Sequence, residues 1–494
     1  MKILFLWPKF PATFWSFKSA LPFIAKKSAF PPLGLLTVAS MLPKDWEKKL
    51  IDLNVEKLKE ADVLWADFIF ISAMAIQKES VEELISTVKK LGKKIVAGGP
   101  LFTAEYEEFL TNVDHFVLDE GEETLPLFLA DLELGKLKKL YRSDLRPDIR
   151  KTPRPSWELI NFKYYASLCI QYSRGCPFNC EFCDIVLLNG RIPRTKSKEQ
   201  ILAELDILYE RGWREGVFFV DDNLIGNKAE LKKEILPAII QWQKEKRHPF
   251  SFNTQVSINL SDDEELMDLM SKAGFETVFI GIETIEEKSL NECQKMQNLN
   301  RDLLSSIKII QNHGFQIQGG FILGFDNDTP SIFNRIIDFI QKSEITMAMV
   351  GLLQAMPQTR LWQRLKEEKR LLNRATGDNT DGALNFIPKM NRQSLLAGYQ
   401  KVVQHIYSPR EYSQRLISFL KNYKPKGRKK YKASFGQLLA LLKSFWVLGI
   451  KEKERVYFWK LFFWCIFRKP KTLPMAIRLA IFGLHFRKVA ESNK

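Results

Sequence analysis

An α/β chain with two successive parallel-sheet units and a mainly helical, basic C-terminal region is predicted by three observations. Short apolar runs alternate with helical periodicity twice, over residues 1 to about 135 and again from Leu168 to about Arg370. Pro147, Pro153 and Pro155, set among basic and polar residues, mark a linker between them. The formal net charge of +16 is carried by residues 421–494, where 19 Lys and Arg face 3 Asp and Glu, so residues 1–420 hold 55 of each sign. With 494 residues, 45% apolar and 27% charged, the chain can bury two or three cores and does not have the composition of a disordered protein. The expected divisions are 1–140, a linker 141–167, 168–372 and 373–494.

In the first unit, strands are expected at Ile3–Trp7, Lys49–Leu53, Phe68–Ser72, Lys94–Ala97 and His115–Leu118, with helices at Leu33–Leu42, Glu79–Leu91 and Glu105–Leu110. That alternation predicts a doubly wound parallel sheet, whose ligands sit at the carboxyl ends of the strands. Three loop features fall at such ends: Pro31-Pro32-Leu33-Gly34, Gly98-Gly99-Pro100 and Glu120-Gly121-Glu122-Glu123-Thr124. Trp157–Ile160 is expected to pack the linker against a neighbour.

The second unit opens with strands at Cys169–Ser173, Val217–Asp221, Phe252–Ser257, Thr277–Gly281, Gln316–Leu323 and Met347–Leu353. Helices at Lys198–Arg211, Asp263–Ala273, Arg301–His313 and Ser331–Lys342 lie between them. Six strand-helix units suggest an incomplete barrel with its functional residues at the strand ends. After the first strand, Cys176, Cys180 and Cys183 place three thiolates within eight residues. Such a loop can wrap three corners of a cubane iron–sulfur cluster and leave the fourth iron open for chemistry. A closed zinc site needs a fourth ligand, and no His or Cys occurs in the twenty residues after Cys183. Chance clustering of structural cysteines is disfavoured because only six of 494 residues are Cys. Cys169, Cys293 and Cys465 are scattered and read as small apolar residues.

The Cys-x3-Cys-x2-Cys spacing, with Phe182 before the last cysteine, resembles the signature of the radical S-adenosylmethionine (SAM) superfamily and its partial (β/α)6 barrel. The resemblance implies a 4Fe-4S cluster held by Cys176, Cys180 and Cys183, whose free iron is chelated by SAM and which cleaves it to a 5'-deoxyadenosyl radical. It also implies SAM contacts from Asp221, Asp222 and Asn223 after the second strand, from Glu283 after the fourth, and from Gly320 and Ile322 in the fifth. The family's Gly-Gly-Glu type motif lacks its glycines here, and Asp residues after strands commonly cap helices instead. Arg194, close behind the cluster loop, offers a guanidinium fork for the SAM carboxylate. Tyr172 and Arg174 are expected to shape the cluster environment. Gln354–Trp362 resembles a Pro-Gly-Thr-x-Leu-Tyr segment, with Gln358 in place of the glycine.

Upstream of the cysteines, the first unit resembles the cobalamin-binding domain of cobalamin-dependent radical SAM enzymes. That likeness implies cobalamin contacts from Pro32, Leu33, Gly34, Asn54, Gly98, Gly99, Glu120, Gly121 and Glu122. No Asp-x-His-x-x-Gly motif is present, so a lower axial imidazole is not supported, and His115 in its strand reads as structural.

Met1–Trp7 is followed by Pro8 and mixed residues with no small-residue cleavage site, so a reducing cytoplasm is expected. Beyond Asn373 the resemblance extends to the subfamily of the hopanoid methylases. Lys421, Lys424, Lys426, Arg428, Lys429, Lys430 and Lys432 precede the aromatic-rich runs Phe445–Ile450 and Val456–Phe467, none of which is long enough to span a bilayer. Interleaved Trp, Phe and basic residues suit peripheral contact of 421–494 with anionic lipid; packing of the aromatics onto the barrel and RNA stacking are the alternatives. Basicity confined to a tail argues against a nucleic-acid groove through the catalytic unit.

The expected activity is methylation of an unactivated carbon of a lipid or other small molecule, through a 5'-deoxyadenosyl radical and methylcobalamin, with a flavodoxin- or ferredoxin-type reductant. Cyclisation, ring contraction or oxidation on the same cofactors, and a non-catalytic cobalamin sensor, are the alternatives. Methylthiolation of tRNA would call for a second cysteine cluster, which the sequence lacks.

Overall fold

The computed structural model describes residues 1–424 and 435–492. Of the basic run, Lys426, Arg428, Lys429, Lys430 and Lys432 therefore lie outside the described residues. The first sheet is parallel, in the order β2-β1-β3-β4-β5-β6, from β1 Lys2–Trp7, β2 Glu47–Asp52, β3 Phe68–Ser72, β4 Lys94–Gly98, β5 His115–Val117 and β6 Leu140–Tyr141. The central strands β1 and β3 are continuous apolar runs because both faces are covered, whereas the edge strand β2 is charged over its first half. Ile3, Phe5, Phe70 and Val96 share one core with the barrel, while Leu4, Leu6, Ile69, Ile71 and Ile95 form another with Val81, Leu84 and Phe102. Two details differ from expectation. A helix starts at Pro100 and ends at Glu105, with only a short 3-10 turn at Tyr106–Phe109 after it, because proline after Gly99 is set for a helix's first turn. The Pro-rich connection contributes the two-residue strand β6, and Trp157 within it is fully buried.

The second sheet is parallel, in the order β14-β13-β12-β11-β10-β7. Its strands are β7 Leu168–Ile170, β10 Gly216–Phe219, β11 Ser251–Val256, β12 Phe275–Glu283, β13 Gln316–Leu323 and β14 Met347–Leu352; β8 Ser173–Arg174 and β9 Arg194–Thr195 form a small antiparallel ribbon beside the cysteine loop. Alternation is plain. Val217, Phe219, Val278, Ile280, Ile317 and Leu323 are buried under the helices, whereas Phe218, Asn253, Gln255, Phe279, Gln318 and Ile322 face the barrel lumen and stay partly accessible.

The sheet does not close, so β7 and β14 are free edges. On β14 the Tyr407 hydroxyl accepts from the Ala348 N–H (3.0 Å) and donates to the Ala348 carbonyl (2.7 Å), satisfying an edge that would otherwise be buried with open backbone groups. Helices Arg392–Ile406, Pro409–Asn422, Phe435–Trp446, Arg455–Arg468 and Leu473–Ser492 complete the C-terminal region. Tyr407→Phe removes both bonds of Ala348 and is expected to destabilise the chain by about 2 kcal/mol in urea unfolding, the cost of an unsatisfied buried backbone pair; a change below about 0.5 kcal/mol would show that water replaces the hydroxyl.

Candidate active site

The cysteine loop is pinned on every side. Before it, Asp221, fully buried, accepts from the Tyr172 N–H (3.3 Å), from the Ser173 N–H and from the Ser173 hydroxyl (2.6 Å). Gly175 adopts φ +100°, and a Cβ there would lie 2.7 Å from the Ile192 carbonyl, so the turn into Cys176 requires glycine. Within the loop, the Glu181 N–H donates to the Cys293 carbonyl (2.9 Å) and the Leu361 N–H to the Glu181 carbonyl (3.0 Å). The Glu181 carboxylate pairs with Arg364 (2.7 Å), which also holds Asp326 (3.0 Å). Arg364 and Arg370 outweigh the effect of burial on Asp326 and bring its pKa down to about 2. Phe182 packs against Phe325. Cys180 is buried, Cys176 and Cys183 are half-buried, and burial pushes the Cys176 and Cys183 thiols up. Three such thiols on a rigid loop fit a group that brings its own positive charge and displaces their protons. Among the described residues no three His, Cys, Asp or Glu side chains converge on a single ion. The corners of a cubane spread their thiolates wider than one ion's ligands, so this arrangement and a three-cysteine cluster are compatible.

Beside the loop, Glu283 ends β12 with φ +62°, a left-handed conformation that is costly for a glutamate and marks a constrained site. Its Oε1 meets Lys295 Nζ at 2.8 Å, with both side chains nearly buried. Burial alone would lower the Lys295 ammonium; Glu283 and the nearby Cys180 and Cys183 outweigh it and hold the ammonium above the usual lysine value. Gln297 Nε2 lies 3.9 Å from Cys180 Sγ. A carboxylate and an ammonium next to the cysteines complement the zwitterionic end of SAM. Lys295 and Glu181 were not singled out from the sequence, although both carry charge close to the cysteine loop or to Glu283.

The other residues expected at SAM divide. Asp222 accepts from the Gly175 N–H (2.8 Å) and from Asn189 (2.9 Å), and Asn223 exchanges hydrogen bonds with Ser257. Asp221, Asp222 and Asn223 thus brace the cysteine loop and the neighbouring strand. Ile322 faces the lumen; Gly320 does too, but a Cβ there would lie 2.8 Å from Phe279, so its space belongs to that ring.

Arg194, expected on a SAM carboxylate, lies instead on Glu120, expected on cobalamin. The Glu120 carboxylate takes Arg194 (2.7 Å), Arg174 (2.9 Å) and Arg146 (3.3 Å), and Glu122 takes Arg174 (2.8 Å) and the Thr152 hydroxyl (2.7 Å). A carboxylate out of water needs cations, and the turn after β5 meets them on the ribbon flanking the cysteines. Gly121 is the first residue of the helix Gly121–Glu133. Asn54 ties the ends of β1 and β2, accepting from the Phe10 N–H (2.8 Å) and donating to the Pro8 carbonyl (3.1 Å). At Gly98 and Gly99 added Cβ atoms would strike the Val117 carbonyl and Ser72 Oγ, so these glycines let β3, β4 and β5 close on each other. Pro32, Leu33 and Gly34 begin the helix Leu33–Met41, and the space beside Gly34 is open. His115 Nδ1 donates to the Lys138 carbonyl (2.7 Å) and the ring packs near Phe68 and Phe128, a structural place.

Between the carboxyl ends of the first sheet and the barrel lies a cavity of about 470 Å³. Met74, Pro100, Thr103 and Asp119 line it from one side, and Asp184, Leu187 and Met356 from the other. It adjoins Cys183 through Asp184, and its two-sided lining fits a corrin shared by the two units. A larger trough of about 720 Å³, with Asp52 and Tyr165 on its floor, lies at the β2 edge and the linker, away from the cysteines.

Family profiles cover most of the chain: the B12 binding domain matches residues 24–129, the radical SAM superfamily 170–340, and a domain of unknown function (DUF4070) 359–494. The chain is 41% identical over 495 residues to an uncharacterized methyltransferase of Synechocystis sp., covering 99% of this chain and 92% of that one. It is 32% identical over 472 residues to the hopanoid C-2 methylase of Rhodopseudomonas palustris, covering 93% and 88%. Among solved structures, the radical SAM methyltransferase TsrM from Kitasatospora setae, with cobalamin and its 4Fe-4S cluster bound, matches with a TM-score of 0.65 at 13% identity, covering 90% of this chain and 98% of that one. The cobalamin-dependent radical enzyme OxsB with aqua-cobalamin bound gives 0.62 at 15%, covering 100% and 80%. At such identities the likeness is one of fold. The chain belongs to the radical SAM methyltransferases that carry a B12-binding domain. It is an enzyme whose cofactors are a 4Fe-4S cluster, SAM and cobalamin.

The Glu122 carboxyl offers a test of the network that joins the two units. Burial alone would raise its pKa from 4.5, but Arg174 and Thr152 outweigh burial and bring it down to about 2. Its contribution is complete above about pH 4.5 and is lost as pH falls toward 2, on the order of 3 kcal/mol in all. Glu122→Gln is expected to unfold at lower urea than the parent at pH 7 and to lose less stability between pH 4.5 and 3. An acid limb as steep as the parent's would remove Glu122 from the network.

Proposed function

We propose that this enzyme methylates an unactivated carbon of a polycyclic terpenoid lipid at the surface of a membrane. The observation that carries the reading is the three-cysteine loop at the mouth of an open barrel, beside a cavity shared with the B12-binding unit, in a chain 32% identical to a hopanoid C-2 methylase. In the reading, Cys176, Cys180 and Cys183 hold the cluster. Glu283 takes the SAM ammonium, Lys295 its carboxylate, and Ile322 packs against the adenine. The interdomain cavity receives the corrin against the loops after β3, β4 and β5. When bound, these groups supply one-electron cleavage of SAM and a carrier for the methyl group. The chain's own work is to hold them at fixed separations and to keep water from the radical. A flavodoxin- or ferredoxin-type protein in a reducing cytoplasm would supply the electron.

Membrane contact is supported by the way the C-terminal helices divide their faces. Phe458, Leu461 and Cys465 are buried on one side of the helix Arg455–Arg468, which accounts for part of the aromatic content as packing. Leu438, Leu442, Trp446 and Ile450, four residues apart, are 51%, 57%, 64% and 54% exposed, and Phe463 and Phe467 are exposed at the same spacing. Lys451, Lys453, Arg455, Lys460 and Arg468 lie near these residues in the sequence, a composition suited to anionic headgroups. Among the described residues no helix is long and apolar enough to cross a membrane.

Two experiments test the reading. With anaerobically reconstituted enzyme, a strong reductant and SAM labelled at its methyl group, label is expected in a hopanoid supplied in vesicles, together with 5'-deoxyadenosine. Cys180→Ala should abolish both. Formation of 5'-deoxyadenosine with no label in any terpenoid would point to another radical reaction. Separately, Trp446→Glu with Phe467→Glu is expected to cut sedimentation with phosphatidylglycerol vesicles about tenfold; undiminished sedimentation would refute the ridge as the contact.

A further inference from the structure

The gap between β7 and β14 is bridged by residues that precede the first helix. At one end, the Thr13 and Phe14 carbonyls accept from His485 Nε2 (3.0 and 3.1 Å), and the Phe14 ring packs on Tyr407, the residue that caps β14. At the other, Ser28 pairs with Tyr165, and the Ser28 and Ala29 carbonyls accept from the Ala166 and Ser167 N–H groups (2.9 and 3.0 Å), directly before β7. Two aromatics of the segment, one between the anchors and one just past the second, meet rings of the barrel. The Trp15 ring lies 5.0 Å from Phe279 of β12, and Phe30 lies 5.1 Å from Phe218 of β10. Both partners face the lumen, and Trp15, in ring contact with Phe279, is still 42% exposed, a large apolar surface left for something to cover.

Chemistry on the lumen positions of β10 to β13 is one-sided. Below Glu283 they carry Phe, Asn, Gln, Thr, Gly and Ile, and no ionisable side chain. None of these side chains carries a charge to neutralise a phosphate, an ammonium or a carboxylate, and the Arg478 guanidinium that reaches this face donates to Gln316 at the start of β13 (3.1 Å), so burying such a group among the aromatics would be costly. Aromatic faces with neutral amides suit a flat apolar ring system bearing at most a neutral polar group.

We propose that residues 13–30 form the missing wall of the barrel and that Trp15 and Phe30, with Phe218 and Phe279, make the pocket that selects a flat, uncharged polycyclic substrate. This rests on the terpenoid reading above and assigns the residues that bind it. The test measures methyl transfer from labelled SAM to a hopanoid hydrocarbon in phosphatidylglycerol vesicles, over a range of hopanoid, using holoenzyme of verified iron and sulfide content. Trp15→Ala is expected to raise KM about tenfold with a smaller change in kcat, and Trp15→Phe to restore most of the loss. Phe279→Leu should act alike, and the double variant should cost less than the two singles combined, because the two rings touch. A KM for Trp15→Ala within twofold of the parent's would overturn the wall as a substrate site. Failure of the parent to methylate a hopanoid would strike the substrate reading instead. A diazirine-bearing polycyclic hydrocarbon on the parent chain then decides the wall: label on 13–30 and 275–283 supports it, and label only elsewhere overturns it.

Discussion

Two carboxylates at the end of one sheet, Glu120 buried and Glu122 partly so, held by three arginines, fix where the cysteine loop stands relative to the B12-binding unit. Glu120 and Glu122 follow β5; Arg174 precedes Cys176 by two residues, and Arg194 sits on the ribbon strand paired with Arg174. A surface pair such as Lys198–Glu199, 47% and 71% exposed, would contribute under about 1 kcal/mol. Here every side chain but Arg146 is no more than 16% exposed. Removing one partner would strand charge out of water, at a cost on the order of 3–5 kcal/mol. Such a network contributes less to net stability than to geometry, since alternatives that separate its members are penalised. Geometry is what a reaction divided between two cofactors needs, because a displacement of the order of 1 Å can cost about a hundredfold in rate.

The loop is held from its other side by an independent set. Arg364 reaches Glu181 between the second and third cysteines and ties it to Asp326 after β13, while the Leu361 N–H caps the Glu181 carbonyl. The helix after β14 therefore ends its barrel strand and buttresses the cysteines at once. This accounts for the location of Gln354–Trp362, and Gln358, where a glycine is usual, adopts φ +65° and spans to the Ala104 carbonyl of the first unit (2.7 Å). A glycine could take that backbone more easily, so the strain is carried by a side chain that links the two units.

Both sheets were legible in the sequence, the first because strands such as β1 and β3, covered on both faces, appear as unbroken apolar runs, the second because short strands with an alternating buried face recur between helical patterns, and Cys176, Cys180 and Cys183 because their spacing is local. What stayed hidden depends on contacts between distant positions. Glu120 and Arg194 were each readable as charged residues near a ligand, but not as partners 74 positions apart. Lys295 follows Glu283 by 12 residues and is paired only because the intervening helix turns back. Asp221 reads as a SAM contact, with helix capping as the alternative, and its bonds to the Tyr172 and Ser173 donors are not visible in the sequence. The start at Pro100, by contrast, had a local signal: proline behind a glycine favours opening a helix over continuing a loop. The tail's aromatics were ambiguous because membrane contact and packing use the same residue types; in the fold Phe458 is buried while Trp446 and Phe467 are exposed.

An open barrel that makes a radical must shut out water without shutting out a bulky substrate. This chain closes the gap with its own termini. Ala20 and Phe23 of the bridging segment pack against Ala440, Leu448, Phe458 and Ile477 of the C-terminal helices, and Lys443 donates to the Pro22 carbonyl (2.6 Å). The helix with the exposed apolar ridge therefore rests on the segment that carries Trp15 toward the lumen. The ridge-bearing helix and the bridging segment are one packed unit. His485, which holds the Thr13 and Phe14 carbonyls, is kept neutral by burial, its pKa lowered to about 4, so the anchor keeps its donor geometry across the neutral range. The lumen-facing side chains of β10 to β13 are uncharged, which lets an apolar ring displace weakly held water, and the charges of Glu283 and Lys295 stand paired at the carboxyl end of β12 (2.8 Å).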